Sequence, residues 1–382
     1  MKEKVNLSHT FNPVIIRKYD VRGVYGEQLF DKDAYFFGLT FANFILNNFD
    51  EKFNKKVIVG RDGRLSSPSL HEELTQGLTD GGIDIIDIGI ASTPMVHFAG
   101  GFFNSIASVQ ITASHNPKEH NGLKFDFKQK PFFDNNLLSL KDMVANCKLA
   151  KSKGKIEISN IENEYIKHIF KNIDINAKGK NISLKVCLDC GNGATGNVVK
   201  SVIKILQENG IEADAIFTDI DGNFPNHVAD PIVEKNMVFL MDKVKNENYD
   251  AGFGFDGDGD RLGVVDSSGR LLTGEQELLI FARDILEKNK GAKIVVNVLT
   301  SQMFYNEIQK VGGETYMVKT GNAFIRTKLD EINGLLGGET SGHINFKDKF
   351  NGVDDGLYAC LRMIEILLKN KAQKKTRFEN TN

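Results

Sequence analysis

The chain has 382 residues, of which 41% are hydrophobic, and its 48 basic residues nearly balance its 50 acidic ones. The net charge of −2 argues against nonspecific binding to nucleic acid, which needs a basic surface. A chain of this length exceeds a single hydrophobic core, so we expect two to four domains.

The sequence contains no pattern typical of export or membrane insertion. Residues 1–19 lack the continuous apolar segment of a secretory signal, because polar residues interrupt them throughout. The longest uncharged stretch, residues 88–117, includes Pro94 and Gly100 and therefore predicts short elements rather than a bilayer-spanning helix. We expect a cytoplasmic protein without a membrane partner.

Strand and helix patterns alternate along the chain. Short apolar strand patterns, each after a lysine and before a polar turn, occur at residues 57–59, 186–188 and 294–296. Residues 68–78 begin with a proline and carry leucines at every fourth position, which predicts a helix. Residues 197–209 also have helical spacing, and Gly210 follows as a stop. This alternation predicts layered α/β domains, and the charged residues 148–157 are the first predicted linker.

Cys187 and Cys190 have the spacing of redox and zinc motifs. They fall at the end of a predicted strand, where residues three apart point to opposite faces, and no second cysteine pair completes a zinc site. We therefore expect reduced thiols.

A serine and a histidine lie side by side on the turn that leaves the predicted strand at residues 106–111. The segment is Thr-Ala-Ser-His-Asn-Pro at residues 112–117, so the pair is Ser114 and His115. The Ser114 hydroxyl can carry a phosphoryl group, but an isolated Ser-His pair is more often an ordinary turn.

Three carboxylates lie within five residues after the predicted strand Ala251–Phe255, at Asp256, Asp258 and Asp260. The intervening glycines allow the loop to curl so that all three carboxylates reach one hard divalent cation. An EF-hand is excluded because Arg261 and Ser267 occupy the positions where that loop needs glycine and glutamate. Taken alone, a solvated turn remains the alternative.

Residues 337–343, Gly-Gly-Glu-Thr-Ser-Gly-His, place a carboxylate, a hydroxyl and an imidazole on a glycine-rich loop. Such groups suit vicinal sugar hydroxyls, because an unpaired buried polar group is costly and discriminates between ligands.

In this order, the three loops resemble the phosphoserine, metal and sugar loops of the α-D-phosphohexomutase superfamily. Further matching segments lie at residues 17–23, 59–64 and 319–321, and the resemblance covers about residues 14–368. Residues 345–348 and 354–356 are most similar to the bacterial phosphomannomutase/phosphoglucomutase branch.

The resemblance implies an α/β fold of three consecutive domains with mixed sheets sandwiched by helices. The expected boundaries are a phosphoserine domain at residues 1–153, a metal-binding domain at 154–266, a sugar-binding domain at 267–371 and a polar tail at 372–382. A lysine-rich tail is typical of solvated or disordered segments. The fourth domain of the family, which holds the phosphate that is not reacting, is expected to be absent.

The resemblance also implies the reaction and its residues. Hexose 1-phosphate and hexose 6-phosphate of mannose or glucose interconvert through a bisphosphorylated sugar, with a phosphoserine at Ser114, one Mg²⁺ and hexose 1,6-bisphosphate as activator. The implied metal ligands are Ser114, Asp256, Asp258 and Asp260. The implied catalytic residues are Ser114, His115, Arg22, Lys124 and Arg261. The implied substrate-binding residues are Tyr19, Thr320, Gly321, Asn322, Glu339, Ser341 and His343.

Two side chains depart from the family pattern in the predicted third domain. Asn322 stands where this branch usually has histidine, and Leu299 where it often has lysine, so positive charge near the substrate is reduced. With the expected loss of the fourth domain, this favours a second hypothesis, a non-catalytic sugar-phosphate-binding or interaction protein. A separate chain that supplies the fourth domain, and a sibling activity as phosphoglucosamine mutase, are further alternatives. A phosphatase of the haloacid dehalogenase type is disfavoured, because its nucleophilic aspartate lies in an Asp-x-Asp motif followed closely by threonine or valine, whereas Asp260 and Arg261 follow here.

Overall fold

The computed structural model describes residues 8–179 and 182–379. The chain divides into two compact units, residues 1–161 with 221–223 and residues 162–220 with 224–382. Both units are built from strands flanked by helices, as the alternating pattern predicts.

The first unit contains a seven-stranded mixed sheet. Its strands are Val21–Val24 (β1), Asn54–Arg61 (β2), Asp84–Ile90 (β3), Ser105–Ile111 (β4), His120–Phe127 (β5), Lys130–Pro131 (β6) and Ile156–Ile158 (β7). Its helices are Asp31–Asn47 (α1), Ser67–Asp80 (α2), Thr93–Phe102 (α3) and Asn135–Met143 (α4). The strand order is β1-β5-β4-β2-β3-β7, with β6 paired to β5. The pairs β4-β2, β2-β3 and β3-β7 are parallel, and β5 is antiparallel to β1 and β4.

The helix predicted at residues 68–78 is confirmed as α2. Pro68 lies in its first turn, and Leu70, Leu74 and Leu78 are fully buried. This one-sided burial anchors α2 in the core of the unit, together with phenylalanines from α1 and β5 such as Phe37 and Phe125.

The second unit contains two four-stranded sheets, ordered β11-β10-β8-β9 and β13-β12-β14-β15. The strands are Lys185–Asp189 (β8), Glu212–Ile216 (β9), Ala251–Phe255 (β10), Leu262–Asp266 (β11), Lys293–Asn297 (β12), Glu314–Val318 (β13), Leu336–Gly338 (β14) and Ile344–Phe346 (β15). The helices are Glu162–Phe170 (α5), Gly196–Glu208 (α6), Glu234–Asn246 (α7), Gly274–Lys288 (α8), Gln302–Lys310 (α9), Asn322–Ile332 (α10) and Gly356–Glu379 (α11). Only the pairs β10-β11 and β14-β15 are antiparallel among these strands.

The strand predicted at Ala251–Phe255 has the predicted bounds, and the helix predicted at residues 197–209 is α6. Gly210 follows α6 with a φ of 84°, a left-handed conformation that glycine adopts without a steric penalty. The final helix, α11, continues to Glu379 and so enters the segment expected to be a polar tail. Residues 372–379 of the expected polar tail are thus helical, and residues 380–382 lie outside the described part of the chain.

All four cysteines are free and buried, as the sequence predicts for Cys187 and Cys190. Burial raises the pKa of the Cys187 thiol to about 12, which keeps it protonated and unreactive.

None of the helices in residues 8–179 and 182–379 combines the length and the apolar character needed to cross a membrane.

One buried carboxyl group supports the edge of a sheet. Glu277 on α8 is 1% exposed, and its side chain accepts a hydrogen bond from the Val264 N–H of the edge strand β11 at 2.9 Å. Burial raises the pKa of Glu277 to about 8, although the Val264 bond opposes the shift. The group is therefore protonated in the folded protein at neutral pH and ionised in the unfolded chain.

This difference predicts a pH-dependent stability. Between the unfolded pKa of 4.5 and the folded value of about 8, the folded state holds one more proton, so stability falls as pH rises. From pH 5.5 to 7.5 the wild type should lose roughly 2 to 3 kcal/mol more unfolding free energy than Glu277→Gln, which does not titrate. Urea unfolding of both proteins at the two pH values measures the difference. Parallel losses in the two proteins would contradict this role of Glu277.

Candidate active site

The loop that carries Ser114 leaves the carboxyl end of β4 in the first unit. Ser114 is 2% exposed and has a φ of 52°, a left-handed conformation that costs a residue with a side chain about 1 to 3 kcal/mol. The Ser114 N–H donates to Thr112 Oγ1 at 2.8 Å, and Ser114 Oγ lies 3.2 Å from Nδ1 of His115. The predicted serine and histidine are thus in direct contact on a strained turn.

Strand register brings two predicted cationic residues to this loop. Arg22 on β1 lies opposite Gly122 on β5, and the Thr112 N–H at the start of the serine loop donates to the Gly122 carbonyl. Lys124 lies two residues after Gly122 on β5, so its side chain is on the same face of the sheet as that of Arg22. The Arg22 guanidinium donates to Asn116 Oδ1 at 2.9 Å and pairs with Asp20. Tyr19, just before β1, is 38% exposed.

The metal loop follows β10 in the second unit, and its backbone is folded around Asp256. One carboxylate oxygen of Asp256 accepts from the N–H groups of Gly259, Asp260 and Arg261 at 3.0 to 3.2 Å. Gly259 has a φ of 77°, so glycine is needed for this curl. Asp256, Asp258 and Asp260 are at most 2% exposed.

The start of α11 packs directly on this loop. The Gly356 N–H donates to the Gly259 carbonyl at 3.1 Å, and a Cβ at position 356 would lie 2.4 Å from the Arg261 carbonyl oxygen. Asp355 caps the helix by accepting from the Tyr358 N–H at 2.9 Å and also accepts from the Tyr165 hydroxyl. The capped amino-terminal end of α11 therefore packs against the metal loop and fixes its backbone.

Arg261 is held between two carboxylates. Its guanidinium nitrogens lie 3.9 Å from Asp256 and 3.9 Å from Asp230. Burial raises the pKa of Asp230, and the nearby Arg261 opposes that shift. Asp230 was not predicted from the sequence, because a single aspartate before a proline carries no motif of its own.

His343 connects the sugar loop to the metal loop within the second unit. Its Nε2 lies 3.3 Å from Asp260, and its Nδ1 lies 3.0 Å from the Ser341 hydroxyl and 3.5 Å from Glu339. The Leu262 N–H donates to the Gly342 carbonyl at 3.0 Å, which fixes the two loops at the backbone level. These predicted residues are thus brought together.

Glu339 is held by groups at or after the carboxyl ends of the parallel strands β12 and β13, and Asn322 is held by a residue of β15. Glu339 accepts from the Gly321 N–H at 2.7 Å and from the Asn297 amide at 3.2 Å. Asn322 donates to Asn345, which is fully buried, at 2.9 Å. Thr320 precedes this segment and is exposed, and Leu299 is 65% exposed. Asn297, at the end of β12, and Asn345, within β15, are contacts that sequence reasoning missed, since a single asparagine carries no motif of its own.

The three aspartates fit a divalent cation. One carboxylate oxygen from each aspartate lies within 4.8 Å of the other two, close to the roughly 4 Å between opposite ligands of octahedral Mg²⁺. Three buried carboxylates at such distances repel one another, and a bound cation would remove that cost. Oxygen-only donors favour Mg²⁺ over softer metals.

Comparisons with known proteins agree with this geometry. Models of the phosphoglucomutase/phosphomannomutase α/β/α domains I, II and III match residues 13–137, 163–269 and 273–380. The chain is 37% identical over 364 residues to the phosphomannomutase/phosphoglucomutase of Pseudomonas putida, covering 95% of this chain and 76% of that protein. It is 37% identical over 355 residues to the phosphoglucomutase of Neisseria meningitidis serogroup A, covering 92% and 75%.

A solved structure from Burkholderia thailandensis, described as a phosphoglucomutase/phosphomannomutase family protein, superposes with a TM-score of 0.87 at 34% identity. The match covers 94% of this chain and 78% of that one. Fold and site together define an α/β protein of the α-D-phosphohexomutase superfamily. The chain belongs to the phosphoglucomutase/phosphomannomutase family, and the resemblance drawn from its three loops is confirmed.

Proposed function

We propose that the protein is a magnesium-dependent phosphohexomutase that interconverts hexose 1-phosphates and hexose 6-phosphates of mannose, glucose or both. The observation that carries the proposal is the buried trio Asp256, Asp258 and Asp260, with Arg261 held beside it. Family membership of the chain supports the same reaction. Phosphoserine at Ser114 and activation by a hexose 1,6-bisphosphate are part of the proposal.

The proposed reaction moves a phosphoryl group between Ser114 Oγ and a sugar hydroxyl. The phosphoserine P–O bond breaks as the new bond to the sugar oxygen forms, and the proton of the sugar hydroxyl is lost while Ser114 Oγ gains one, which yields a bisphosphate and a free serine. The sugar then turns, and its other phosphoryl group returns to Ser114 by the reverse exchange. Such transfers depend on positioning and on neutralising the charge on the equatorial oxygens. A magnesium ion held by the three aspartates would supply part of that positive charge. The participation of Ser114 in metal binding remains a prediction.

The chain's own cations have defined tasks in this proposal. Arg22 and Lys124 share a sheet face next to the serine loop and would stabilise the transferring phosphoryl group. Arg261 lies between Asp230 and Asp256, and these two carboxylates would restrict the orientation of its guanidinium group. His115, in contact with Ser114 Oγ, would orient that hydroxyl.

The sugar-binding residues would select the substrate through hydroxyl contacts. Glu339 and Ser341 offer an acceptor and a donor on one loop, and His343 ties that loop to Asp260. The neutral Asn322, turned towards Asn345, would bind a phosphate more weakly than a histidine cation. The small-molecule partner is therefore a sugar phosphate, bound with modest affinity.

Four free, buried thiols accord with a reducing cytoplasmic location.

A coupled assay tests the proposal directly. The purified chain is supplied with Mg²⁺, a hexose 1,6-bisphosphate and either mannose 1-phosphate, glucose 1-phosphate or glucosamine 1-phosphate. We expect turnover of mannose or glucose phosphate above that of a Ser114→Ala control, with less activity on the amino sugar. A second arm adds, as a separate polypeptide, the part of the Pseudomonas putida relative that this chain does not cover. Calorimetric binding of sugar phosphate without turnover in either arm would favour a non-catalytic binding protein.

A further inference from the structure

A buried arginine donates hydrogen bonds to four backbone carbonyl groups of residues 114–120, the segment that carries Ser114. Arg64 is 1% exposed and lies between β2 and α2 in the first unit. Its Nη2 donates to the carbonyls of Ser114 and Asn116 at 2.7 Å each. Its Nη1 donates to the carbonyls of Pro117 at 2.7 Å and His120 at 3.0 Å. A single planar guanidinium thus fixes the path of residues 114–120.

The charge of this arginine is balanced within the same network. Asp62 is 1% exposed, and its carboxylate accepts from Arg64 Nε at 3.1 Å and from the Ser67 hydroxyl at 2.6 Å. The Asn121 side chain donates to the Ser67 hydroxyl at 3.0 Å, which ties the network to the start of β5. Because the pair is hydrogen-bonded on all sides, it is a rigid base rather than a mobile surface ion pair.

The loop above this base holds its reactive residue in an unfavourable conformation. Ser114 has a φ of 52°, and strained residues persist only where surrounding contacts over-determine them. Two of the Arg64 bonds lie directly after that dihedral, at the carbonyls of Ser114 itself and of Asn116. Without them the loop can relax towards a right-handed or extended turn, which would redirect Ser114 Oγ.

We infer that Arg64 is a positioning residue for phosphoryl transfer, acting on Ser114 only through the carbonyl groups of its loop. This inference rests on the proposed function, in which Ser114 carries the phosphoryl group. Arg64 touches the loop backbone from the buried side, so its loss should slow the chemical step more than it weakens sugar-phosphate binding. A misplacement of about 1 Å can reduce a rate roughly 100-fold.

The test compares Arg64→Lys with a matched control, Arg362→Lys. Lysine retains the charge opposite Asp62 but has three donors on one nitrogen and cannot span four carbonyls. Arg362 is also 1% exposed and donates to Asp348, but it lies on α11 in the second unit. Both variants remove a buried guanidinium, and only one of them lies under the serine loop.

We expect Arg64→Lys to lower kcat about 100-fold while KM stays within about threefold, and to speed amide hydrogen exchange in residues 112–120 at least about 10-fold. Arg362→Lys should leave loop exchange and kcat near those of the wild type. Equal kcat losses in both variants, or an Arg64→Lys variant with wild-type kcat and loop exchange, would overturn the inference. If the wild type shows no mutase turnover, the proposed function fails, whereas the exchange comparison still decides whether Arg64 orders the loop.

Discussion

Replacing Ser114 by alanine should reduce hexose phosphate isomerisation by at least about 10⁴-fold, because the change removes the oxygen that accepts and returns the phosphoryl group. The other residues of the site would still bind the sugar phosphate, so binding should persist where turnover is lost. Ser114 Oγ makes a contact with His115 at 3.2 Å, and alanine has the same backbone cost at a φ of 52°. The expected loss is therefore one of chemistry rather than of folding.

The matched control is Ser108→Ala, which deletes the hydroxyl of a serine that is 4% exposed on β4, the strand leading into the loop. The coupled assay gives turnover for each protein, and intact mass spectrometry after incubation with hexose 1,6-bisphosphate reports one added phosphoryl group. Wild type and Ser108→Ala should both become phosphorylated and active. Phosphorylation of the Ser114→Ala variant, or turnover close to that of Ser108→Ala, would show that another residue carries the group.

The sequence marks the candidate site where charged side chains recur at close spacing. The aspartates of the metal loop and the glutamate and histidine of the sugar loop stand out for this reason, and the roles proposed for them stay predictions. The strand at Ala251–Phe255 was predictable for a similar reason, since a short apolar run before a glycine-rich loop has few alternatives.

The sequence is silent where a contact is made to the backbone. Arg64 belongs to a recognisable segment, yet its partners are carbonyl groups that every residue possesses. Glu277 likewise looks like any helical glutamate, and only the fold reveals that it is buried against Val264. The extension of α11 to Glu379 escaped prediction because lysine-rich segments are compatible with both helix and solvated coil.

Removing one carboxylate from the metal loop should produce two effects of opposite sign. Asp258→Asn lowers the repulsion among three buried carboxylates, so the protein without added metal should become more stable. The same change removes a hard, charged oxygen ligand, so Mg²⁺ should bind more weakly. Activity at physiological Mg²⁺ should fall roughly 10²-fold to 10³-fold, in the range for loss of one charge-stabilising group.

Thermal unfolding with and without Mg²⁺ separates these effects from general damage. A ligand at 100 times its Kd stabilises the folded state by about 2.7 kcal/mol, so the wild type should gain melting temperature on addition of Mg²⁺ and lose it with EDTA. Asp258→Asn should start from a higher metal-free melting temperature and respond little to either addition. Asp242→Asn, which changes an exposed aspartate on α7 of the same unit, should behave like the wild type. A full Mg²⁺ response in Asp258→Asn would mean that the trio is not the cation site, since a buried carboxylate that binds the ion cannot be neutralised without loss of affinity.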